Sequence, residues 1–166
     1  NPRSTVATVT EVYDYLRLLY ARIAHPHCPS CGMEISSQTT QAIVDRIMSL
    51  EHDTRIQIMA PLVEGRKGEF GKLFNNLRKD GFTRIKIDNE IRLLEEELNP
   101  DKNKKHDISV IIDRLIITNE IKNRLTDSME LALKMANGQA IIDAICGEEL
   151  FFSTNAACRK CGISIP

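Results

Sequence analysis

The sequence of 166 residues contains no tryptophan, and aromatic residues make up only 5% of it. Proteins that bind single-stranded nucleic acid stack bases on aromatic side chains within a basic groove. Here aromatics are scarce, and the formal net charge of −1 provides no global field for a polyanion. No apolar run approaches the ~20 residues of a membrane span, and no N-terminal stretch has the pattern of a signal peptide. We therefore expect no membrane partner and no general affinity for nucleic acid.

Catalytic signatures are also missing from the sequence. It shows no Ser-His-Asp order, no paired-carboxylate signature and no metal-hydrolase motif. Residues 65–72 superficially resemble a phosphate-binding loop, but five residues separate Gly65 from Gly71, and Leu73 stands where that motif requires Ser or Thr. Cys146 is a lone thiol in an apolar strand pattern, which is typical of a small buried side chain. No active site is predicted for this chain.

Four of the five cysteines form two short motifs of the same design, at opposite ends of the chain. Each reads C-x-x-C-G, then an apolar residue, any residue and Ile. The glycine permits the backbone to turn back toward the two sulfurs, and two such turns supply the four ligands of a closed tetrahedral zinc site. The sequence predicts a structural zinc ion in a reducing cytoplasm. Its ligands would be Cys28, Cys31, Cys158 and Cys161.

The long separation of the two motifs leaves alternatives open. Residues 32–157 lie between them, far more than the ~15–20 residues of an ordinary zinc ribbon. If the two C-x-x-C-G motifs, which we call the first and second knuckles, share one ion, they form a clasp at the base of a folded insertion. Otherwise each cysteine pair is a redox dithiol or half of another site. His25 and His27 are alternative zinc ligands, because imidazole also suits zinc. A zinc-dependent enzyme is disfavoured, since four thiolates close the open position that catalytic zinc keeps.

Hydrophobic periodicity predicts a small mixed α/β insertion domain of the α+β class, together with an N-terminal helix. A capping box at Thr8 and Glu11 predicts the start of that helix, and Pro26 ends it near Ala24. Ser36 or Ser37 is predicted to open the next helix. Two further helices are expected near residues 70–77 and 121–136, and strands at residues 55–60, 82–87, 91–93, 108–117, 140–145 and 150–153.

Three domains are expected. Residues 1–35 would hold the N-terminal helix and first knuckle, residues 36–154 the insertion, and residues 155–166 the second knuckle. Because the chain starts without Met and stops just past a knuckle, we expect a piece of a larger protein.

Charged residues inside two predicted strands form the remaining candidate site. Alternation places Arg84 and Lys86 on the face opposite the isoleucines of the same strand. Asp113 and Arg114 interrupt the most aliphatic strand of the chain. A solvated face is the usual explanation for such charges, and a partner surface is the alternative, because Arg is enriched at interface hot spots.

Several segments together resemble one family over essentially the whole chain. The sequence is similar to the first ATP-binding half of the UvrA family, the damage-detecting component of the UvrABC excinuclease. The segments that carry the resemblance are NPRSTV at residues 1–6, TVTEVYDYLRLLYAR at 8–22, HCPSCG at 27–32, GRKGE at 65–69, GFTRIKID at 81–88, KNKKH at 102–106 and GEELFFS at 147–153.

The resemblance implies a protein-interaction domain between the knuckles, whose partner is UvrB, the helicase-like component of the same excinuclease. The implied full-length protein is a dimeric ABC-type ATPase that binds damaged DNA in nucleotide excision repair and loads UvrB at lesions. ATP and magnesium would be bound only there, because this sequence lacks the Walker A loop, the signature motif and the second ATPase half. We expect UvrB to contact a polar patch centred on Arg84 and Arg114, with Lys86 and Asp113 beside it.

Two alternatives accompany this interpretation. Family members carry a further C-x-x-C shortly downstream, so the second knuckle, Cys158 and Cys161, can also pair with thiols outside this sequence. A free-standing zinc-ribbon module that binds nucleic acid is the competing function. Such a module would need a basic face with interleaved aromatics.

Overall fold

The computed structural model describes residues 11–33, 38–144 and 148–155, and the chain divides into two compact units. The larger unit spans Ser37–Asn155. The described part of the smaller unit, residues 11–33, contains helix α1 (Val12–Ile23) and the first knuckle. No helix in the described ranges has the length and apolar character needed to cross a membrane.

Helix α1 ends where the sequence predicts and begins later. Ala24 follows the helix with extended backbone, at φ −77° and ψ 138°. Glu11, expected inside the first turn, instead has a φ of 55° and precedes the helix. A left-handed residue cannot continue a right-handed helix, so the predicted capping box does not start this helix. Its other member, Thr8, lies outside the described residues.

The larger unit combines helices with one sheet. Its described elements are α2 (Thr40–Met48), β1 (Arg55–Arg66), α3 (Gly71–Lys79), β2 (Arg84–Ile87), β3 (Glu90–Leu93), β4 (His106–Ile116), α4 (Lys122–Met135), β5 (Gln139–Ala144) and β6 (Glu148–Ser153). The strands form an antiparallel sheet in the order β3-β2-β4-β1-β5-β6. The predicted mixed α and β architecture is confirmed.

One face of the sheet, which we call the first face, packs against the helices. Ile56 and Ile58 of β1 lie on it and are 0% exposed. Burying a side chain of this size stabilises the fold by roughly 1.5–3 kcal/mol. The same cluster contains residues from α2, α3, β2, β4, α4, β5 and β6, among them Ile43, Val44, Ile47, Phe74, Leu77, Ile85, Val110, Leu125, Met129, Leu133, Ile142 and Phe152.

Helix α2 begins at Thr40, after the predicted start. Thr39 is its N-cap, and its Oγ1 accepts a hydrogen bond from the amide of Ala42 at 3.2 Å. This bond satisfies one of the amide donors that the first helical turn leaves unpaired. The predicted caps, Ser36 and Ser37, lie outside the described residues.

Strand β1 is longer than predicted and does not alternate in burial. It continues through Pro61 to Arg66, although the sequence predicts an end at Pro61. Pro61 lies beyond residues 56–59, which pair with β5, and beside a register shift against β4. A sheet tolerates a missing amide donor at such irregular positions. Residues 56–61 are all buried, so both faces of this central strand are covered.

Candidate functional site

Three of the four predicted partner-binding residues share the face of the sheet opposite the helices, which we call the second face. Ile85 of β2 pairs with Val110 on the first face, so its neighbours Arg84 and Lys86 point to the second. Arg114 of β4 lies opposite Gln57 of β1, whose neighbours Ile56 and Ile58 belong to the first face. The register of the sheet thus brings together cations that are distant in sequence.

Asp113 points the other way. It lies opposite Ile58 in the register, and its carboxylate accepts hydrogen bonds from Arg124 Nε and Nη2, both at 2.8 Å. Ser128 Oγ donates a third bond at 3.1 Å. Burial raises the pKa of Asp113, but the bonds from Arg124, the Arg114 amide and Ser128 outweigh burial and hold it below the ordinary value. The structure therefore separates Asp113 from the second face and joins it to α4.

The cations of the second face differ in their partners. Lys86 Nζ forms an ion pair with the carboxylate of Glu149 on β6. Arg114 Nε donates to Gln57 Oε1 at 2.8 Å, and Gln57 Nε2 lies 3.4 Å from Asp143 Oδ2 on β5. Among the residues that the structure describes, no carboxylate forms an ion pair with Arg84 or Arg114. Within that part of the chain, these two guanidinium groups therefore lack an acidic partner, whereas Lys86 has one.

Sequence reasoning missed the polar neighbours of these cations. Gln57 is 4% exposed and stands between apolar residues of β1. A buried amide must find hydrogen-bond partners, so its presence in an apolar run was the one available signal. Asp143 and Glu149 gave no comparable signal, because their places beside Gln57 and Lys86 depend on strand pairing.

A second polar site lies where the β2–β3 turn meets the loop before β4. His106 is 7% exposed, with Nδ1 3.0 Å from Asp88 Oδ2 and Nε2 2.9 Å from the carbonyl oxygen of Asp101. Both partners are acceptors, so both ring nitrogens must donate, which only the imidazolium can do. The bond to Asp88, followed by that to Asp101, raises the pKa of His106. An adjoining pocket of about 600 Å³ includes Glu90, Glu96 and Glu97 in its lining.

The first knuckle has the backbone of a closed turn. The Cys28 amide donates to the Met33 carbonyl at 2.8 Å, and the Gly32 amide donates to the Cys28 carbonyl at 2.9 Å. Gly32 has a φ of 71°, which a residue with a Cβ rarely adopts. Cys28 and Cys31 therefore flank one tight loop, which fits half of a four-thiolate zinc site.

The remaining predicted ligands are only partly described. His27 Nδ1 lies 2.7 Å from the His25 carbonyl oxygen, so that nitrogen is a donor. Cys158 and Cys161 lie outside the described residues, as does Cys146. Over residues 11–33, 38–144 and 148–155, no group of three or more His, Cys, Asp or Glu residues could hold a metal ion. The shared zinc site stays a prediction.

Comparisons with known proteins agree on one family. A family model described as the UvrA interaction domain matches residues 38–145, more than half of the chain. UvrABC system protein A of Halalkalibacterium halodurans is 57% identical over 166 residues, covering 100% of this chain and 17% of that protein. The proteins of the same name from Clostridium acetobutylicum and Bacillus subtilis are 55% and 51% identical. Each match covers 99% of this chain, and 18% and 17% of the relative. This chain belongs to the UvrA interaction domain family.

Proposed function

We propose that this chain is the part of a UvrA protein that binds UvrB, and that UvrB contacts the second face of the sheet. One observation carries the proposal: Arg84 and Arg114 lie on the same face, and neither forms an ion pair among the described residues. By contrast, Arg92 is paired with Glu90, and Arg124 with Asp113. A guanidinium group presents donors that match a carboxylate, so the partner surface should contain Asp or Glu.

The charge pattern favours a protein partner over nucleic acid. Asp143 and Glu149 lie on the second face as well, and Glu149 contacts Lys86 there. Carboxylates in these positions repel a phosphate backbone, whereas a protein partner can present charges of both signs. The mixed face therefore argues against the competing function, a free-standing nucleic-acid-binding module.

The wider role is part of the same proposal and is supported by the family to which the chain belongs. In a full-length UvrA protein, this domain would bring UvrB to damaged DNA during nucleotide excision repair in the cytoplasm. DNA binding, ATP hydrolysis with magnesium, and homodimer formation would belong to the rest of that protein. The two knuckles would hold a structural zinc ion.

Charge reversal tests the proposal directly. Arg84→Glu and Arg114→Glu should each weaken binding of the chain to purified UvrB by ~2 kcal/mol or more, about 30-fold. Binding should also weaken as salt rises, because charges at an interface rim are screened. Titration calorimetry measures the affinity. The thermal midpoint of Arg84→Glu should stay near that of the parent, whereas that of Arg114→Glu should fall modestly without unfolding of the chain, because this substitution removes the hydrogen bond to the buried Gln57.

Arg46→Glu is the matched control, because Arg46 is an exposed residue of α2, in the layer of helices. It should bind UvrB like the parent. If both reversals on the second face also bind like the parent, UvrB contacts another surface. If they unfold the chain, Arg84 and Arg114 are structural.

A further inference from the structure

Gln57 occupies an unusual position for a polar side chain. It is 4% exposed in the middle of β1, beside Ile56, Ile58 and Met59, which are 0%, 0% and 1% exposed. A buried amide lowers stability unless it is hydrogen-bonded, and an apolar residue of similar shape would serve the core equally well. An amide in this buried position calls for a role beyond packing.

The chemistry of the two neighbours fixes the orientation of this amide. Arg114 can only donate and Asp143, as a carboxylate, can only accept. Gln57 Oε1 must therefore face Arg114, at 2.8 Å from Nε, and Nε2 must face Asp143, at 3.4 Å from Oδ2. These residues form a row across β5, β1 and β4, in the order Asp143, Gln57 and Arg114.

The row has two consequences for the guanidinium group. First, the amide stands between Arg114 and Asp143, so the two charges do not form an ion pair across β1. Second, Gln57 occupies the Nε donor of Arg114, and this exposed guanidinium group makes no other side-chain hydrogen bond among the described residues. A carboxylate can then approach through Nη1 and Nη2, since the edge that includes Nε is already bonded.

We propose that Gln57 is a positioning residue for partner binding: it holds Arg114 by Nε, keeps it from Asp143, and presents its two Nη groups to a carboxylate of the partner. This inference rests on the proposed function, because it assigns the partner to Arg114. The residue acts through Arg114, so its effect on affinity must depend on Arg114 being present.

A double-mutant cycle with Gln57→Met and Arg114→Ala tests this dependence. Gln57→Met removes both hydrogen bonds at nearly constant volume. It should weaken binding of UvrB by ~10-fold or more, the effect expected from one hydrogen bond to a charged group. In the Arg114→Ala background, the same substitution should cause no further loss. The thermal midpoint of Gln57→Met should not fall, because an apolar side chain suits the buried position.

A measurement without UvrB separates this inference from the proposed function. In the free parent chain, the Arg114 Nε–H signal in nuclear magnetic resonance should exchange slowly with water, and in Gln57→Met it should exchange fast. Fast exchange in the parent overturns the positioning role, whatever UvrB does. The positioning role is also overturned if Gln57→Met causes the same loss of affinity with and without Arg114. It is likewise overturned if Gln57→Met binds UvrB normally while Arg114→Ala binds weakly. Slow exchange together with normal affinity of Arg114→Ala instead contradicts the proposed binding surface.

Discussion

Lys86 of β2 contacts the carboxylate of Glu149 of β6, although β4, β1 and β5 lie between these strands in the sheet. Neighbouring strands are about 4.8 Å apart, so a flat sheet would hold β2 and β6 roughly 19 Å from one another. The contact therefore requires a curled sheet with the second face on its inner side. Met59 and Ile111 agree with this shape, because they lie outside the helix-packed cluster yet are only 1% and 7% exposed.

The Lys86–Glu149 pair should couple more strongly than an ordinary surface pair. Its lysine side chain is only 15% exposed, so water screens the interaction less. A double-mutant cycle with Lys86→Met and Glu149→Gln should give a coupling free energy of about 1 kcal/mol or more, at the top of the range for exposed pairs. Denaturant unfolding measures it. The control is the exposed pair of Lys104 and Asp101, at 4.0 Å, where we expect a few tenths of a kcal/mol. Equal coupling free energies in the two pairs would show that the low exposure of Lys86 does not strengthen its ion pair.

The contact between His106 and Asp88 should make the loop before β4 sensitive to pH. The folded pKa of His106 is raised above 6.5, so its stabilising contribution is fully present below pH 6.5 and is lost as pH rises through the folded pKa. The folded pKa of Asp88 is lowered below 3.8, first by the Asp107 amide and then by His106. Its contribution is present above pH 3.8 and is lost as pH falls through that lower pKa. The contact between His106 and Asp88 should therefore stabilise the fold most between pH 3.8 and pH 6.5.

Nuclear magnetic resonance titration of the His106 ring checks this prediction. Asp88→Asn should lower the pKa of His106, and amide exchange in residues 94–105 should speed up as the imidazolium deprotonates. Asp53→Asn is the matched control, since Asp53 is paired with the exposed His52 and should leave His106 unaffected. A His106 pKa that does not respond to Asp88→Asn would contradict the assignment.

The predicted zinc site can be tested by removing one half of it. If Cys28, Cys31, Cys158 and Cys161 share one ion, Cys158→Ser should also release zinc from the first knuckle, and metal analysis should fall from one zinc per chain to none. X-ray absorption spectroscopy at the zinc edge should give Zn–S distances of about 2.3 Å in the parent chain. Cys146→Ser is the control, because Cys146 lies outside both motifs and should leave the zinc content unchanged. A full equivalent of zinc in Cys158→Ser would exclude the shared site.

Local patterns predicted much of the fold correctly. The helix predicted near residues 121–136 is present as α4, and Leu125, Met129 and Leu133, which recur in it at helical spacing, are buried. The strands predicted at residues 82–87 and 91–93 pair as a hairpin, with Asp88 and Asn89 in the turn between them. These features depend on residues close in sequence, where backbone periodicity and turn chemistry decide the structure.

Features that depend on distant strands could not be predicted in the same way. Gln57 and Arg114 are 57 residues apart, and only the pairing of β1 with β4 brings them into contact. The passage of β1 through Pro61 likewise depends on where its pairing with β5 stops. For the candidate site, the alternation of side chains along one strand was enough to predict that Arg84 and Lys86 share a face. Adding Arg114 to that face required the register between β1 and β4.

Asp113 should prove structural, even though it adjoins Arg114 in sequence. Asp113→Asn should destabilise the chain by about 1.5–3 kcal/mol at neutral pH, because it weakens charge-assisted bonds from Arg124 and Ser128. The folded pKa of Asp113 is lowered below 3.8, so the difference from the parent should be present above pH 3.8 and shrink as pH falls through the folded value. Denaturant unfolding at several pH values measures it.

The affinity for UvrB should stay unchanged in Asp113→Asn, because the carboxylate points toward α4 and away from the second face. Asp127→Asn, at an exposed position of α4, is the control for removing a carboxylate and should alter neither stability nor affinity appreciably. The opposite result is equally informative. If Asp113→Asn keeps its stability and loses affinity as Arg114→Glu does, the partner reaches the edge between β4 and α4, and the binding surface extends beyond the second face.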